Sequence, residues 1–340
     1  MDVAPLSHPR TGVGNYIRGS VRGLVEAGAD VVAFAPASTS GRRLIEDSLA
    51  GIDVELRLPR IPAAHAVRTA WSRVGFPPVE RFVGVLDVFH FGDWMYPPQR
   101  GGIRSTMIHD LVPLHFPDWV HRRTVRMHGA KYRHAAHACD VVIVNSEFTG
   151  DDVARTLGVD RARIHVAYPG VGTEFTPEGP RADGDYVLAV GTLEPRKNLA
   201  NAIAAARQLG LELRVVGPRG WGGVDARGAT WIEYPSDAEL SALYRGASAF
   251  VYPSRFEGFG IPVLEAMASG APCVVSSHPS LDEASGDAAV RVDPDDVPAI
   301  AAGIERARSE RDDLVRRGLE HARRFTWIAN GRAHLAAWTG

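Results

Sequence analysis

Lysine, cysteine and net charge are all scarce in this chain of 340 residues. The two cysteines, Cys139 and Cys273, lie far apart between apolar residues, which excludes a disulfide framework and predicts reduced thiols in the core. The formal net charge of −2 excludes a nucleic-acid binder held by bulk electrostatics. No apolar run reaches the roughly 18–20 residues that span a bilayer, and no basic segment followed by an apolar stretch opens the sequence. These absences predict a cytoplasmic protein.

Arginine takes the place of lysine almost everywhere, since Lys131 and Lys197 are the only lysines among 38 basic residues. A GC-rich genome is one explanation of this bias. A lysine that remains against that background hints at chemistry that the planar guanidinium of arginine serves less well. Apolar residues make up 45% and charged residues 23% of the chain, which is typical of a folded globular protein.

Short apolar runs alternate with helical patterns along almost the whole chain, which predicts an α/β protein with parallel sheets covered by helices on both faces. The rhythm breaks at 168–185, a stretch rich in Pro, Gly and acidic residues that we interpret as a linker. We therefore predict a first domain over 1–172 and a second over 173–326, with an amphipathic helix in 327–340 packed back on the first. The predicted strands cover 31–35, 85–91, 105–108, 141–145, 163–167, 186–190, 213–216, 229–232, 249–252 and 272–276. The predicted helices cover 15–27, 122–138, 147–157, 199–209, 237–247, 263–269 and 297–308.

The most informative segment is EGFGIPVLEAMASG, at 257–270, which follows the apolar run AFVY. Its glycines allow a tight turn with positive φ, and Pro262 suits the first turn of a helix because its missing N–H would have no partner there. The free N–H groups and the dipole of that helix start favour an anion such as a diphosphate. A carboxylate accepts hydrogen bonds from neighbouring hydroxyls, so one of Glu257 and Glu265 could hold a sugar and the other a ribose. A capped helix with two solvated glutamates is the alternative.

This segment resembles the E-x7-E element of retaining glycosyltransferases with the GT-B fold, in the form typical of glycosyltransferase family 4. That family includes many bacterial mannosyl- and glucosyltransferases. The resemblance implies two doubly wound, Rossmann-like domains that face a central cleft. It also implies that Glu257 contacts the donor sugar and Glu265 the ribose hydroxyls, while the backbone of Phe259, Gly260 and Ile261 approaches the sugar and its diphosphate.

A basic pair lies in a second turn, within VLAVGTLEPRKNLANAI. Arg196 and Lys197 follow a predicted strand and stand just before Asn198, the predicted N-cap of the next helix. Two fixed cations can neutralise a diphosphate and stabilise it as it leaves. The segment is similar to the family's G-x-x-x-x-x-K-N element, in which the basic pair grips the donor phosphates. A solvated turn is the alternative interpretation.

Two further loops of the second domain match the family near the nucleotide. Gly217 ends a strand in LRVVGPRGWGG, where family members carry a V-G-x-G loop and where Pro218 changes the flexibility of the loop here. The segment WIEYPSD matches the part of the family that forms the base pocket. The resemblance implies that Tyr234 and Pro235 lie near the base, with backbone groups as the readers.

The first domain carries two weaker matches. Gly12 and Gly14 precede a predicted helix, and the resemblance implies that their N–H groups touch the leaving diphosphate. Only MDVAPLS precedes that loop, so the family's first strand is short here or begins upstream of Met1. His109 ends a strand in STMIHDLVPLHFP, which is similar to the family's H-D-L-x-P-L element, and Asp110 is expected to fix either the loop or the histidine. Because imidazole titrates near neutral pH, a general base is one interpretation of His109, but the resemblance favours positioning or electrostatic support.

The resemblance implies a retaining transfer of a hexose from a nucleotide-diphosphate sugar to a saccharide or glycolipid acceptor in cell-surface polysaccharide synthesis. GDP-mannose is the first candidate donor. Departure of the nucleoside diphosphate would leave an oxocarbenium-like centre, with the developing phosphate charge stabilised by Arg196, Lys197, the helix start and the first glycine loop. No D-x-D signature lies at the end of a predicted strand, so neither a metal nor a cofactor is expected.

Other functions remain open from the sequence alone. A GT-B enzyme of another reaction type, such as a phosphorylase or an epimerase, and a non-catalytic nucleotide-sugar-binding protein are the alternatives. The segment 121–137 adds a hypothesis about location, because its five basic residues are accompanied by no acid. Such a helix can make peripheral contact with anionic lipid at the inner face of the cell membrane, while a solvated helix face is the commoner explanation of such a pattern. The five basic residues are Arg122, Arg123, Arg126, Lys131 and Arg133.

Overall fold

The computed structural model describes residues 1–9, 11–61, 63–92, 95–220 and 227–340. The chain divides into two compact units, one formed by Met1–Gly170 with Thr326–Gly340 and the other by Val171–Phe325. Each unit contains parallel strands with helices packed on them, which confirms the predicted α/β class.

Parallel strands form the core of the first unit. Among the described residues they pair in the orders β1-β2 and β3-β4-β5-β6. Asp2 forms a single bridge to Phe34 and donates its N–H to the carbonyl oxygen of His90 at 2.8 Å, so the segment before the glycine loop runs between β1 and β3. The strands are β1 (Val32–Phe34), β2 (Glu55–Arg57), β3 (Val88–Phe91), β4 (Ile103–Ile108), β5 (Val141–Val144) and β6 (Ile164–Val166). The helices are α1 (Gly12–Glu26), α2 (Thr39–Ser48), α3 (Ala64–Val74), α4 (Glu80–Val83), α5 (Val112–His115), α6 (Arg122–Ala138) and α7 (Glu147–Leu157).

The second unit is built on one parallel sheet, whose described strands follow the order β12-β11-β10-β7-β8-β9. Alternate residues of β7 face opposite sides of this sheet, so Val187 and Ala189 join one apolar cluster while Tyr186 and Leu188 join the other. The strands are β7 (Tyr186–Val190), β8 (Glu212–Val216), β9 (Ala229–Ile232), β10 (Ala249–Tyr252), β11 (Cys273–Ser276) and β12 (Ala289–Val292). The helices are α8 (Leu199–Gln208), α9 (Asp237–Gly246), α10 (Ile261–Ala268), α11 (Pro279–Ser285), α12 (Val297–Ser309) and α13 (Arg311–Ala322).

A last helix, α14 (Trp327–Thr339), returns to the first unit and packs on α1. Glycines allow the two helices to touch backbone to backbone, because a Cβ at Gly23 would lie 1.8 Å from the carbonyl oxygen of Trp327. Asn330 of α14 then donates hydrogen bonds to the hydroxyl of Tyr16 at 3.1 Å and to the carbonyl oxygen of Tyr168 at 2.8 Å. This contact fixes the end of the chain on the first unit.

The structure corrects several local predictions. Helix α1 begins at Gly12 rather than at residue 15, because the Thr11 hydroxyl caps its first turn. Asn198 stands at the start of α8 in a left-handed conformation with φ of 54°, and its side chain makes no cap. Its amide instead donates to the carbonyl oxygens of Pro253 and Pro294. The elements that periodicity missed are mostly short or exposed and are β2, β12, α2, α3, α4, α5, α11 and α13.

Lys131 is buried, although the sequence places it with the exposed basic residues of α6. Its ammonium donates to the carbonyl oxygens of Gly92, at 3.2 Å, and of Met107. These carbonyls belong to the ends of β3 and β4, so Lys131 ties α6 to the sheet. The two lysines of the chain are therefore both buried, since Lys197 is 8% exposed.

Candidate active site

Two loops meet at the carboxyl edge of the sheet in the second unit. Strands β7 and β10 are parallel neighbours, with Ala249 opposite Val187, so the segments that follow them emerge side by side. The backbone N–H of Arg255 donates to the carbonyl oxygen of Arg196 at 2.8 Å and joins the two loops directly. This junction places the basic pair of one loop against Glu257 of the other.

Glu257 is held by both cations. Lys197 Nζ lies 2.7 Å from Oε1 of this carboxylate, and Arg196 Nη1 lies 2.7 Å from Oε2. Arg196 also pairs through Nε with Glu194 Oε1 at 2.8 Å. The side chain of Glu257 is 7% exposed and that of Lys197 10%, so the ions have lost most of their water and depend on one another. Two acids and two bases leave the cluster electrically balanced.

Burial and neighbouring charges shift the pKa values of the groups in this cluster. Burial alone would raise the pKa of Glu257, but Arg196 and Lys197 outweigh it and lower that pKa to about 2. Burial and the neighbouring Arg196 lower the pKa of Lys197, while Glu257 opposes that change. Glu257 is therefore a carboxylate at neutral pH and a strong hydrogen-bond acceptor.

Tyr252 is a member of this cluster that the sequence analysis missed. Its hydroxyl lies 2.6 Å from Lys197 Nζ, and the same ammonium lies 4.8 Å from the centre of its ring. The available signal was a tyrosine at the carboxyl end of the apolar strand AFVY, where a polar group reaches the ligand edge of a parallel sheet. Glu194, which shares Arg196, was missed as well.

The turn after Glu257 has the conformation that the motif requires. Gly260 adopts a φ of 119°, and a Cβ there would lie 2.7 Å from Leu281 Cδ2, so a larger residue does not fit. Helix α10 begins at Ile261 with Pro262 in its first turn, as predicted. The Ser280 hydroxyl donates to the carbonyl oxygen of Glu257 at 2.8 Å and holds the turn in place. The backbone of this turn is therefore held in one conformation at the carboxyl edge of the sheet.

Phe259 and Glu265 have separate partners. The ring of Phe259 is buried against Phe325, with the ring centres 5.7 Å apart, so its side chain belongs to the core. Glu265 lies about one turn inside α10, where Tyr244 of α9 donates to its Oε2 at 3.1 Å. Both the acid and the phenol are buried.

The residues predicted to lie near the nucleotide, Gly217 and Tyr234, follow the neighbouring strands β8 and β9. Gly217 has a φ of 144°, and a Cβ there would lie 2.4 Å from the carbonyl oxygen of Gly191, so the loops after β7 and β8 touch. A Cβ at Gly191 would in turn lie 3.2 Å from the Lys197 side chain. Tyr234 follows β9 with a φ of 52° and is 57% exposed. The end of the predicted glycine loop after Gly217, residues 221–223, lies outside the described residues.

In the first unit the structure brings His109 against the first turns of α1. The rings of His109 and Tyr16 meet edge to face with their centres 5.0 Å apart. Burial of the ring, followed by the Lys131 charge and then by His128, lowers the pKa of His109 to about 3. The ring is therefore neutral near pH 7, which differs from the near-neutral titration that made a general base attractive. Asp110 Oδ1 accepts from the N–H of Val112 at 3.1 Å, a contact within its own loop.

The predicted glycine loop of the first unit needs a correction. The N–H of Gly14 donates to the Thr11 hydroxyl at 3.1 Å, so this N–H is already used inside the protein. The reason is that α1 starts three residues earlier than the pattern predicts, which makes Gly14 part of its first turn. Gly12, the first residue of α1, is exposed. Arg10 of the same segment lies outside the described residues.

Comparison with known proteins decides the family. The model of glycosyl transferases group 1 matches residues 172–326, and that of glycosyltransferase family 4 matches residues 10–175. The chain belongs to the GT-B glycosyltransferases of family 4. This glycosyltransferase is 29% identical to the O-antigen chain mannosyltransferase B of Escherichia coli, an alignment that covers 95% of this chain and 94% of that protein.

Solved structures give the same fold for this glycosyltransferase. WaaG, a glycosyltransferase involved in lipopolysaccharide biosynthesis, superimposes with a TM-score of 0.70 at 15% identity, covering 98% of this chain and 97% of that one. Anabaena HepE, solved with UDP-glucose, gives a TM-score of 0.67 at 14% identity, covering 97% and 96%. These matches confirm the GT-B fold that the E-x7-E resemblance implies.

Across the described ranges, no group of three or more His, Cys, Asp and Glu side chains is arranged to hold a metal ion. Among the helices in the described part of the chain, none has both the length and the apolar character that a bilayer crossing requires.

We predict that Glu257→Gln destabilises this glycosyltransferase by roughly 3 kcal/mol at pH 7, because the amide leaves Arg196 and Lys197 buried beside each other without their shared anion. The folded pKa of about 2 lies below the ordinary 4.5, so the stabilisation is complete above pH 4.5 and is lost as the pH falls towards 2. The difference in free energy of unfolding between wild type and Glu257→Gln, measured with denaturant, should therefore narrow as the pH falls from 4.5 towards 2.

The matched control is Glu310→Gln, which removes an exposed partner of Arg306 in the same unit. We expect that variant to lose no more than about 1 kcal/mol at any pH. Equal losses in the two variants would contradict the buried charge cluster.

Proposed function

We propose that this glycosyltransferase moves a hexose from a nucleotide-diphosphate sugar to a saccharide or glycolipid acceptor, with retention of anomeric configuration and without a metal ion. Mannose from GDP-mannose is the donor we propose first, in the synthesis of a cell-surface polysaccharide. The observation that carries the proposal is the buried contact of Glu257 with the adjacent cations Arg196 and Lys197. The similarity to an O-antigen chain mannosyltransferase supports the choice of sugar and pathway.

The charge balance of the cluster suggests how a donor would be received. Both carboxylate oxygens of Glu257 accept hydrogen bonds from these cations. An incoming diphosphate offers these cations a stronger anionic partner, which would release the Glu257 carboxylate for the hydroxyls of the sugar. The same cations would then stabilise the nucleoside diphosphate as the glycosidic bond breaks, and this is the charge that develops in the transition state.

The other residues of the second unit take roles around this centre. The N–H groups at the Gly260–Ile261 helix start would face the diphosphate. Glu265 would accept from the ribose hydroxyls, while Gly217 and Tyr234 would border the nucleotide. The exposed ring of Tyr234 supports that placement, because an aromatic face can stack on a base.

We also propose roles for two residues of the first unit. There the neutral ring of His109 would orient the donor sugar by hydrogen bonding, and Gly12 would approach the leaving phosphate. A ring with a pKa of about 3 is a weak base, so the acceptor proton would pass to a departing phosphate oxygen instead. Retention follows if the acceptor attacks from the face that the phosphate leaves.

A donor panel tests the proposal directly. Thermal shift with UDP-, GDP-, ADP- and dTDP-sugars should give the largest rise in melting temperature with GDP-mannose, because a bound donor stabilises the folded state by mass action. Nuclear magnetic resonance of the product should show the anomeric configuration of the donor. A product of inverted configuration would exclude retention. Binding without transfer would favour a non-catalytic nucleotide-sugar protein, and transfer to phosphate or isomerisation would favour the phosphorylase or epimerase alternatives.

Lys197→Met removes one cation and keeps most of the side-chain volume. We predict that kcat falls on the order of 10²- to 10³-fold, because the leaving diphosphate loses a preorganised charge. The matched control is Arg311→Met, whose guanidinium donates to the carbonyl oxygens of Ala247 and Ser248 at 2.9 and 3.2 Å. That control should lose stability and keep turnover. A folded Lys197→Met enzyme within about threefold of wild-type kcat would reject the role of the lysine.

We also propose that α6 rests on anionic lipid at the inner face of the cell membrane. Four arginines of this helix are exposed, namely Arg122, Arg123, Arg126 and Arg133. Just before the helix, Phe116 and Trp119 stack with ring centres 4.0 Å apart. Arginine with flanking aromatic residues suits the headgroup region of a membrane. The buried Lys131 takes no part.

Sedimentation with vesicles that contain phosphatidylglycerol tests this surface. The variant Arg122→Glu, Arg126→Glu, Arg133→Glu should lose the binding that wild type shows at low salt, since each basic residue near an anionic surface contributes about 1 kcal/mol. The control Arg306→Glu, Arg316→Glu, Arg323→Glu makes the same change in net charge at exposed positions of the second unit, on α12, on α13 and just after α13, and should keep binding. Equal binding by both variants would exclude α6 as the contact.

A further inference from the structure

Tyr244 is a buried phenol whose role in the reaction is unassigned by the sequence motif. It lies on α9, is 0% exposed, and donates its O–H to Glu265 Oε2 at 3.1 Å. Glu265 belongs to a different helix, α10, so the hydrogen bond joins two elements of the second unit. A buried carboxylate needs such a donor, because an unsatisfied acceptor would be costly.

The ring of Tyr244 is fixed from two sides. Phe250 of β10 meets it edge to face with ring centres 5.5 Å apart, and Phe175 meets it in the same way at 5.9 Å. Burial and the nearby Glu265 carboxylate raise the pKa of Tyr244 well above the ordinary value. The phenol therefore stays protonated at neutral pH, and its O–H remains a hydrogen-bond donor to Glu265.

We propose that Tyr244 is a positioning residue for ribose recognition, holding the Glu265 carboxylate through Oε2 in the orientation that accepts the ribose hydroxyls. The inference rests on the proposed assignment of Glu265 to the ribose. A carboxylate that is already oriented loses less rotamer freedom when the ligand binds, so preorganisation raises affinity. The effect should appear in the binding of nucleotides that carry the 2′-hydroxyl and not in the chemical step.

The chain offers a matched control for this hydrogen bond. Tyr186 is also buried, and its hydroxyl donates to the carbonyl oxygen of Leu243 at 2.7 Å. Leu243 precedes Tyr244 on α9, so Tyr186→Phe removes one phenolic hydrogen bond from the same helix without touching Glu265. Tyr186→Phe therefore reports what loosening of α9 does by itself.

The experiment titrates Tyr244→Phe, Tyr186→Phe and wild type by calorimetry with GDP, UDP, ADP and the 2′-deoxy counterpart of each. For the ribonucleotide that binds, Tyr244→Phe should weaken affinity about tenfold, the size expected for losing a hydrogen bond to a charged group. Its 2′-deoxy counterpart should weaken about twofold or less, because the affected contact is already missing. Tyr186→Phe should keep the wild-type ratio of the two affinities. In turnover, Tyr244→Phe should raise the donor KM and leave kcat within about threefold.

The remaining outcomes separate this inference from the function beneath it. If Tyr244→Phe weakens ribo and 2′-deoxy nucleotides equally, or changes neither, while Glu265→Gln still removes the preference for ribose, the positioning role is wrong and the ribose site stands. If wild type shows no preference for ribose, or binds none of the six nucleotides, the assignment of Glu265 itself is rejected and the inference goes with it.

Discussion

The buried carboxylate of Glu257 joins the two loops that meet at the carboxyl edge of the sheet in the second unit. Arg196 and Lys197 are adjacent in the chain, and two cations held together away from water repel each other unless an anion lies between them. Glu257 supplies it from the loop of the neighbouring parallel strand, and Glu194 completes the balance. The contact can form only if the loops after β7 and β10 end side by side, so the charge cluster depends on the strand order.

Tyrosine hydroxyls form hydrogen bonds with charged groups at this edge of the sheet. The Tyr252 hydroxyl contacts Lys197, the Tyr244 hydroxyl contacts Glu265, and the ring of Phe250 packs between the two tyrosines. These aromatic residues belong to one buried apolar cluster on the sheet, so each tyrosine hydroxyl is carried by a ring that is packed in the core. In such surroundings a hydrogen bond is stronger and its loss is more costly than at the surface. The groups that we propose for donor binding are therefore supported by packed core residues.

The first unit uses burial in a different way. Lys131 ties α6 to the carboxyl ends of β3 and β4, and its charge helps to keep His109 neutral. The two lysines that remain in an arginine-rich chain are both inside the protein, where a compact ammonium fits between carbonyl oxygens or beside a phenol. Lysine scarcity was therefore a sound signal of special environments. Only for Lys197 did it also indicate the donor site that we propose, since Lys131 was taken for a surface residue.

The sequence by itself determined the α/β rhythm and the local form of the 257–270 turn, because these follow from apolar periodicity and from glycine and proline at positions with special backbone needs. The GT-B family came from the resemblance of that segment to the E-x7-E element. The sequence did not determine where helices begin when a side chain sets the cap, as Thr11 does for α1, nor that Asn198 would turn its amide to Pro253 and Pro294. Contacts between residues far apart in sequence were also beyond it. Glu257 lies 60 positions from Lys197, and Tyr244 lies 21 from Glu265. Such pairs are decided by strand order and helix packing, so only the tertiary structure could bring them together.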